Sequence, residues 1–302
     1  MHTGLPHPWA RSYVIHSGRA MFTFDSSDGL TVHVHEWQPD GPPRGVVQLA
    51  HGMGEHAPRY APLARALNER GYAVYANDHR GHGATIHAEP GQLGADGWNL
   101  LVADMAALSR ILRERHPGLP LVLVGHSLGS FATQQYLLEH ADLLAGAALS
   151  GTTAVDLFLG SVPPGTSDLN EVFNAPFQPV RTTADWLSRD EEQVDLYVAD
   201  PLCGFALDEE ALVGLATAAF GPLTDLSGVR TDLPLYVLVG DHDPLNHRLE
   251  FSDALVERYR KAGVEDIVYR TYPGARHEVL NETNRAEVIG ALVEWVDRVS
   301  GS

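Results

Sequence analysis

The chain has a single cysteine, Cys203, among its 302 residues. No internal disulfide can form, which suits a reducing compartment such as the cytoplasm. The flanking "ADPLCGF" has no strand-to-helix signature, so a buried structural thiol is expected rather than a nucleophile. Positive charge is also scarce. The 21 Lys and Arg stand against 39 Asp and Glu, a formal net charge of -18. Phosphate backbones are held by clustered Lys and Arg, so nucleic acid is not an expected partner. The same deficit argues against a basic patch on anionic lipid, so any membrane contact would have to be apolar. No window approaches the roughly 18 apolar residues of a membrane span. The N-terminal "MHTGLPHPWARSYVIHSG" has no apolar run and does not read as a signal peptide. Internal repeats and low-complexity tracts are absent too. What is left is a globular chain long enough for one large domain or two smaller ones.

The early part reads as a hairpin, "AMFTF" (residues 20–24) and "LTVHVHEW" (residues 30–37) around "DSSDG". After residue 44 the pattern changes. Short continuous apolar runs alternate with helical periodicity: "GVVQLA", "YAVYAND", "LPLVLVG" and "LAGAALSG" are separated by helices near 60–70, 98–115 and 129–140. Such alternation predicts an α/β fold, a mostly parallel sheet with helices on both faces. It stops at Gly151. Residues 152–228 contain no good buried strand and read as mainly helical, with one helix starting at a Ser188/Glu191 capping box and another near 208–220. It then resumes with "LPLYVLVG", a helix near 251–262, "DIVYRTYPG" and a last helix with Val288, Leu292, Trp295 and Val299 on one face. The expected organisation is a core of residues 1–151 and 229–302, interrupted by a cap of residues 152–228. An insertion after a strand's carboxyl end would lie over the edge where α/β sheets bind ligands.

"LPLVLVGHSLGS" (residues 119–130) carries G-x-S-x-G at the end of a strand and the start of a helix, the context that makes Ser127 a candidate nucleophile. The turn is tight enough that its flanking positions have to be glycine. A serine hydroxyl needs a base, and the base needs an orienting acid. "GDHDPLN" supplies Asp241 and Asp243 after one later strand, and "GARHEVLNE" supplies His277 after the last. Asp243 is favoured, because Asp241 directly follows the strand and is placed to cap a turn. Acyl transfer also needs donors for the charge that builds on the carbonyl oxygen. The backbone N–H of Leu128 is one candidate. The other is that of Met53 in "LAHGMGEHAPRY", where Gly52 and Gly54 allow close approach.

Together, "HGMGEHAPRY", "ANDHRGHG", "GHSLGS", "GDHDPLN" and "GARHEVLNE" resemble the monoacylglycerol lipase and lysophospholipase group of the α/β-hydrolase superfamily, which overlaps the serine aminopeptidase-type hydrolases. The resemblance spans about residues 22–299. It implies the α/β-hydrolase fold, a triad of Ser127, Asp243 and His277, oxyanion donors at Met53 and Leu128, and an apolar cap over the acyl site. Leu157, Phe158, Leu159 and Val162 of the cap are its candidate substrate-facing residues. The implied activity is hydrolysis of monoacylglycerols or similar single-chain lipid esters, with no metal or organic cofactor. "NDHRGHG" has the composition of a metal cluster, but the resemblance makes it a structural loop with Asp78 and Arg80 paired to neighbours. His51 and His126 are expected to pack or hydrogen-bond beside the site, and Glu55 and Arg59 to form a local ion pair. A lysophospholipase, a short-chain carboxylesterase and a peptidase remain alternatives on the same scaffold, and a non-catalytic binding protein is the most distant one.

Overall fold

The computed structural model describes residues 14–16, 19–166 and 168–301. Most of the N-terminal stretch read for a signal peptide lies outside these residues. β1 (Val14–His16), β2 (Arg19–Asp25) and β3 (Thr31–Trp37) form an antiparallel meander. The parallel part then opens with β4 (Gly45–Ala50), α1 (Ala61–Glu69), β5 (Tyr72–Asn77), α2 (Gly97–Arg115), β6 (Leu121–His126), α3 (Leu128–His140) and β7 (Gly146–Ser150). Four helices follow: α4 (Val155–Ser161), α5 (Leu169–Asn174), α6 (Glu191–Ala199) and α7 (Glu209–Phe220). The sheet is completed by β8 (Leu235–Gly240), α8 (Glu250–Lys261) and β9 (Ile267–Tyr272), and α9 (Arg285–Val299) ends the chain. Among the described residues no strand lies between β7 and β8, the span expected to form the cap.

The strand order is β1-β2-β3-β5-β4-β6-β7-β8-β9, parallel from β5 to β9. Both faces are covered, which is why β4 to β8 are continuous apolar runs. Val46 and Leu123 belong to the core under α2 and α3, with Trp98, Leu101 and Phe131. Val47, Val122 and Val124 face the opposite core, with Leu63 and Leu67 of α1 and Val288, Leu292 and Trp295 of α9. From β4 the chain crosses to β5 on one side and then returns to β6 on the other. Such a reversal opens a crevice at the strands' carboxyl ends, and the parallel register Ala50↔Gly125 brings the loops after β4 and β6 side by side there.

Two local expectations need comment. Helix α6 is capped by Asp190, which accepts from the N–H groups of Glu192 and Gln193, and not by Ser188. The Ser188 hydroxyl is instead drawn to the Asn281 carbonyl, 2.9 Å away. The "NDHRGHG" loop is held as an electrostatic knot. Arg80 is fully buried and donates to Asp104 (3.1 Å), Asp28 (3.1 Å), the Ser26 hydroxyl (3.1 Å) and the Leu93 carbonyl (2.9 Å). It thereby fastens the β2–β3 turn to α2. Asp78 accepts from His35 and from the backbone N–H groups of Ala57 and Ala84.

Removing one partner of a buried pair strands the other charge. Burial already raises the Asp104 carboxyl above its ordinary value. Arg80→Ala is expected to lower stability by about 3–5 kcal/mol, measured by urea unfolding. Arg80→Met combined with Asp104→Leu should recover most of it.

Candidate active site

Ser127 sits between β6 and α3 with φ 49° and ψ −119°, a conformation that side-chain-bearing residues rarely adopt. Its N–H donates to the Ser150 carbonyl (2.9 Å), and its own carbonyl accepts from Ser130 and Phe131. The glycines around it are steric necessities. A Cβ on Gly125 would stand 2.5 Å from the Gly129 carbonyl and from the Thr133 hydroxyl, and one on Gly129 would strike the carbonyl oxygens of Ala50 and His51. Leu128 opens α3. The first N–H groups of a helix have no intrahelical acceptor, so that of Leu128 is available to a ligand.

The loop after β4 is built almost wholly from neutral and ionic hydrogen bonds. The Gly52 N–H donates to Glu55 (2.5 Å) and the Gly54 N–H to His82 Nε2 (3.2 Å). Between these two anchored residues, Met53 is partly buried against the core under α2 and α3. His82 Nδ1 lies 3.0 Å from the Arg80 carbonyl, His51 Nδ1 lies 2.8 Å from the Gly52 carbonyl, and His51 Nε2 accepts from the His79 N–H. Each ring must therefore be neutral, one nitrogen donating and the other accepting. Burial holds His51, His79 and His82 below their ordinary value, His79 at about 3, and repulsion from neighbouring rings adds to this for His51 and His79. The second glycine serves a purpose the sequence reading did not give it. Gly54 has φ +61°, and a Cβ there would strike the carbonyl of Phe205 in the turn after α6; the Gly204 N–H donates to the Gly54 carbonyl at 2.9 Å.

The acid and base come from the ends of β8 and β9. His277 Nδ1 lies 2.9 Å from Asp243 Oδ2, and both side chains are almost fully buried. Asp243 also accepts from the Leu245 N–H (2.9 Å) and from the Asn246 amide (3.3 Å). An acceptor on one side fixes the Nδ1–H tautomer and leaves Nε2 as the basic nitrogen. That Nε2 is buried and has no hydrogen-bond partner among the described residues. Burial alone would lower the imidazole, but the Asp243 carboxylate more than reverses this, and His277 stands above its ordinary 6.5. Asp241 is turned away and accepts from the Gly274 N–H at 2.6 Å. The His277 ring lies 4.9 Å from that of His126, the residue before Ser127. Burial and repulsion by His277 hold His126 at about 4, so it stays neutral beside the pair.

Glu55 and Arg59 form the expected ion pair, at 2.6 Å. Arg59 also reaches Glu278, next to His277, through two bonds of 2.7 and 2.8 Å. Burial favours the neutral form of Glu278, yet Arg59 holds its carboxyl well below the usual range. Glu278 was in view in "GARHEVLNE", but nothing local in the sequence joins it to a residue 219 positions earlier. Trp186 is a second residue not anticipated. Its ring is 5.0 Å from that of His277 and 4.6 Å from Phe173, which in turn is 6.0 Å from Phe158. Of the candidate cap residues, Phe158 is buried in this row of rings, and Leu157, Leu159 and Val162 are half-buried against the same core. The exposed large apolar side chains lie elsewhere, among them Leu196 and Val198 on α6, Leu202, and Val213 and Phe220 on α7. Cys203, expected to be buried, is half-buried in the turn after α6.

A family model described as "Serine aminopeptidase, S33" matches residues 41–284. A monoacylglycerol lipase of Mycolicibacterium smegmatis is 33% identical over 300 residues, covering 94% of this chain and 99% of that protein. A human monoglyceride lipase is 28% identical over 266 residues, covering 85% and 83%. Among solved structures, a thermostable carboxyl esterase from Bacillus coagulans superposes with a TM-score of 0.81 at 28% identity, covering 92% of this chain and 98% of its own.

Ser127→Ala should cut turnover of a p-nitrophenyl ester by about 10⁴–10⁶ without lowering the melting temperature. Asp243→Asn should cost about 10⁴ and Asp241→Asn less than about tenfold; the reverse order would reassign the acid. His277 acts as a base only when neutral, so kcat/KM should fall as pH drops through a value above 6.5. Asp243→Asn removes the main force that opposes burial, and that limb should move to lower pH.

Proposed function

The chain belongs to the family described as serine aminopeptidase, S33, and on that footing we propose a serine carboxylic-ester hydrolase that cleaves monoacylglycerols or similar single-chain lipid esters. The observation that carries this reading is the buried Asp243–His277 pair, with His277 Nε2 unpartnered beside the strained turn at Ser127. Nε2 takes the Ser127 proton as Oγ bonds to the ester carbonyl carbon. The resulting oxyanion is held by the N–H groups of Leu128 and Met53. The alcohol leaves with the proton from His277. Water, activated by the same ring, then releases the acid from Ser127. Asp243 stabilises the imidazolium at both stages. The reaction is written with these side chains and N–H groups alone.

The proposed cap is residues 152–228. The row of rings from Phe158 through Phe173 and Trp186 to His277 supports an apolar path for the acyl chain along α4. The relatives named as monoacylglycerol lipases support the same head group. No helix among the described residues is long and apolar enough to cross a membrane. The exposed apolar side chains of α6 and α7 support transient contact with a lipid surface, and the single cysteine supports a cytoplasmic setting. The family's description also admits amide substrates, and the triad serves both bonds.

A series of glycerol monoesters of increasing acyl length, run beside peptide amides, tests this. Each methylene that reaches the apolar wall should raise kcat/KM by up to about fourfold. Faster cleavage of the amides, or no dependence on acyl length, would sink the proposal.

A further inference from the structure

The turn after α6 meets the loop after β4 at a second cluster of chemistry-bearing side chains. His56 Nε2 stands 2.8 Å from Asp200 Oδ2. Cys203 completes the group, and one donor atom from each of the three residues lies within 4.8 Å of the others. The His56 side chain is nine-tenths buried, and that of Asp200 is about one-third exposed. A mostly apolar cavity of about 370 Å³ reaches the cluster through His56 and Leu202. The triad proposed above uses none of these residues.

We propose that His56, Asp200 and Cys203 form a binding site for a thiophilic divalent cation of the zinc class, joining the turn after α6 to the loop that carries Met53. The donor set fits such an ion. Imidazole and thiolate select zinc, cadmium or copper over magnesium and calcium, which prefer oxygen alone. Asp200 and the thiolate bring two negative charges and neutral His56 brings none, which balances a dication. Three protein donors and one water give the open tetrahedral arrangement, with donor atoms roughly 3.3–3.8 Å apart. His56 and Asp200 need to open by well under 1 Å from their present contact to reach it, and Cys203 closes from the other side. The turn can make that adjustment, because Asp200 and Cys203 belong to one short hydrogen-bonded loop, the Cys203 N–H donating to the Asp200 carbonyl at 3.0 Å.

Coordination forms a metal–sulfur bond and releases the thiol proton to solvent. Burial pushes the free Cys203 thiol up to about 12, so the metal has to displace that proton. The charges facing the thiol are Arg59, which favours the thiolate, and Asp200, Glu55 and Glu278, which oppose it; affinity should therefore weaken as pH falls. A bound ion would link two segments 144 residues apart in sequence and raise the melting temperature.

The site is unusually easy to interrogate, because the chain has only one cysteine. A cadmium–thiolate charge-transfer band can arise nowhere else, whatever the 16 histidines do. Titration of the full-length protein with Cd²⁺ should give this band, saturating at one equivalent with micromolar or tighter affinity, and Zn²⁺ should displace it. Cys203→Ser should abolish the band. His56→Gln and Asp200→Asn, which keep the thiol, should each weaken binding at least tenfold. Metal-free melting curves identify any variant that fails to fold, and Asp200→Asn then decides. No band in the wild type, or a band of unchanged affinity in a folded His56→Gln or Asp200→Asn, would overturn the proposal.

Discussion

No side chain fits between Gly129 and the carbonyl oxygens of Ala50 and His51, and everything else at the site depends on that contact. It lets α3 start hard against the end of β4, so that the turn at Ser127 and the loop at Met53 share one crevice. The positive φ of Ser127 costs of order 1–3 kcal/mol. It persists because the Ser150 carbonyl, the start of α3 and the packed strands over-determine it. The parallel register from β4 to β9 then delivers Asp243 and His277 to the same edge.

Around that steric core the electrostatics divide into three parts. His51, His79, His82 and His126 are kept neutral by burial, and His51 and His82 serve as two-sided hydrogen-bonding parts. His277 alone has its basicity raised, because it alone has a buried carboxylate on Nδ1. The difference lies in the partner rather than the depth, since all five rings are fully enclosed. Glu55, Arg59 and Glu278 form a third element, a buried ionic link between the loop of Met53 and the loop of His277.

The parts of this architecture that were legible in the sequence are those that local pattern determines. Continuous apolar strands announced the parallel sheet, and G-x-S-x-G at a strand's end marked Ser127. Asp243 and His277 were legible only because chain order within a known fold stands in for distance. The long-range partners were not. Glu278 is an ordinary acidic residue until Arg59 folds against it. Trp186 carries no local signal, and its role follows only from the contact of its ring with His277. The backbone of Phe205, far away in sequence, occupies the space that Gly54 leaves open. Ser188 misled because its hydroxyl has a tertiary acceptor that outcompetes the helix it precedes.

The carbonyls of Trp186 and Leu187, between α5 and α6, accept the N–H groups of His277 and Glu278, at 3.5 and 2.7 Å. The segment between β7 and β8 therefore supplies part of the backing of the base loop. The region from α4 to α7 is then not an interchangeable module. A chimera that grafted another insertion between β7 and β8 would have to reproduce two main-chain acceptors at the right height. Replacing α4, α6 or α7 alone would leave these two acceptors on the short stretch around Trp186 in place.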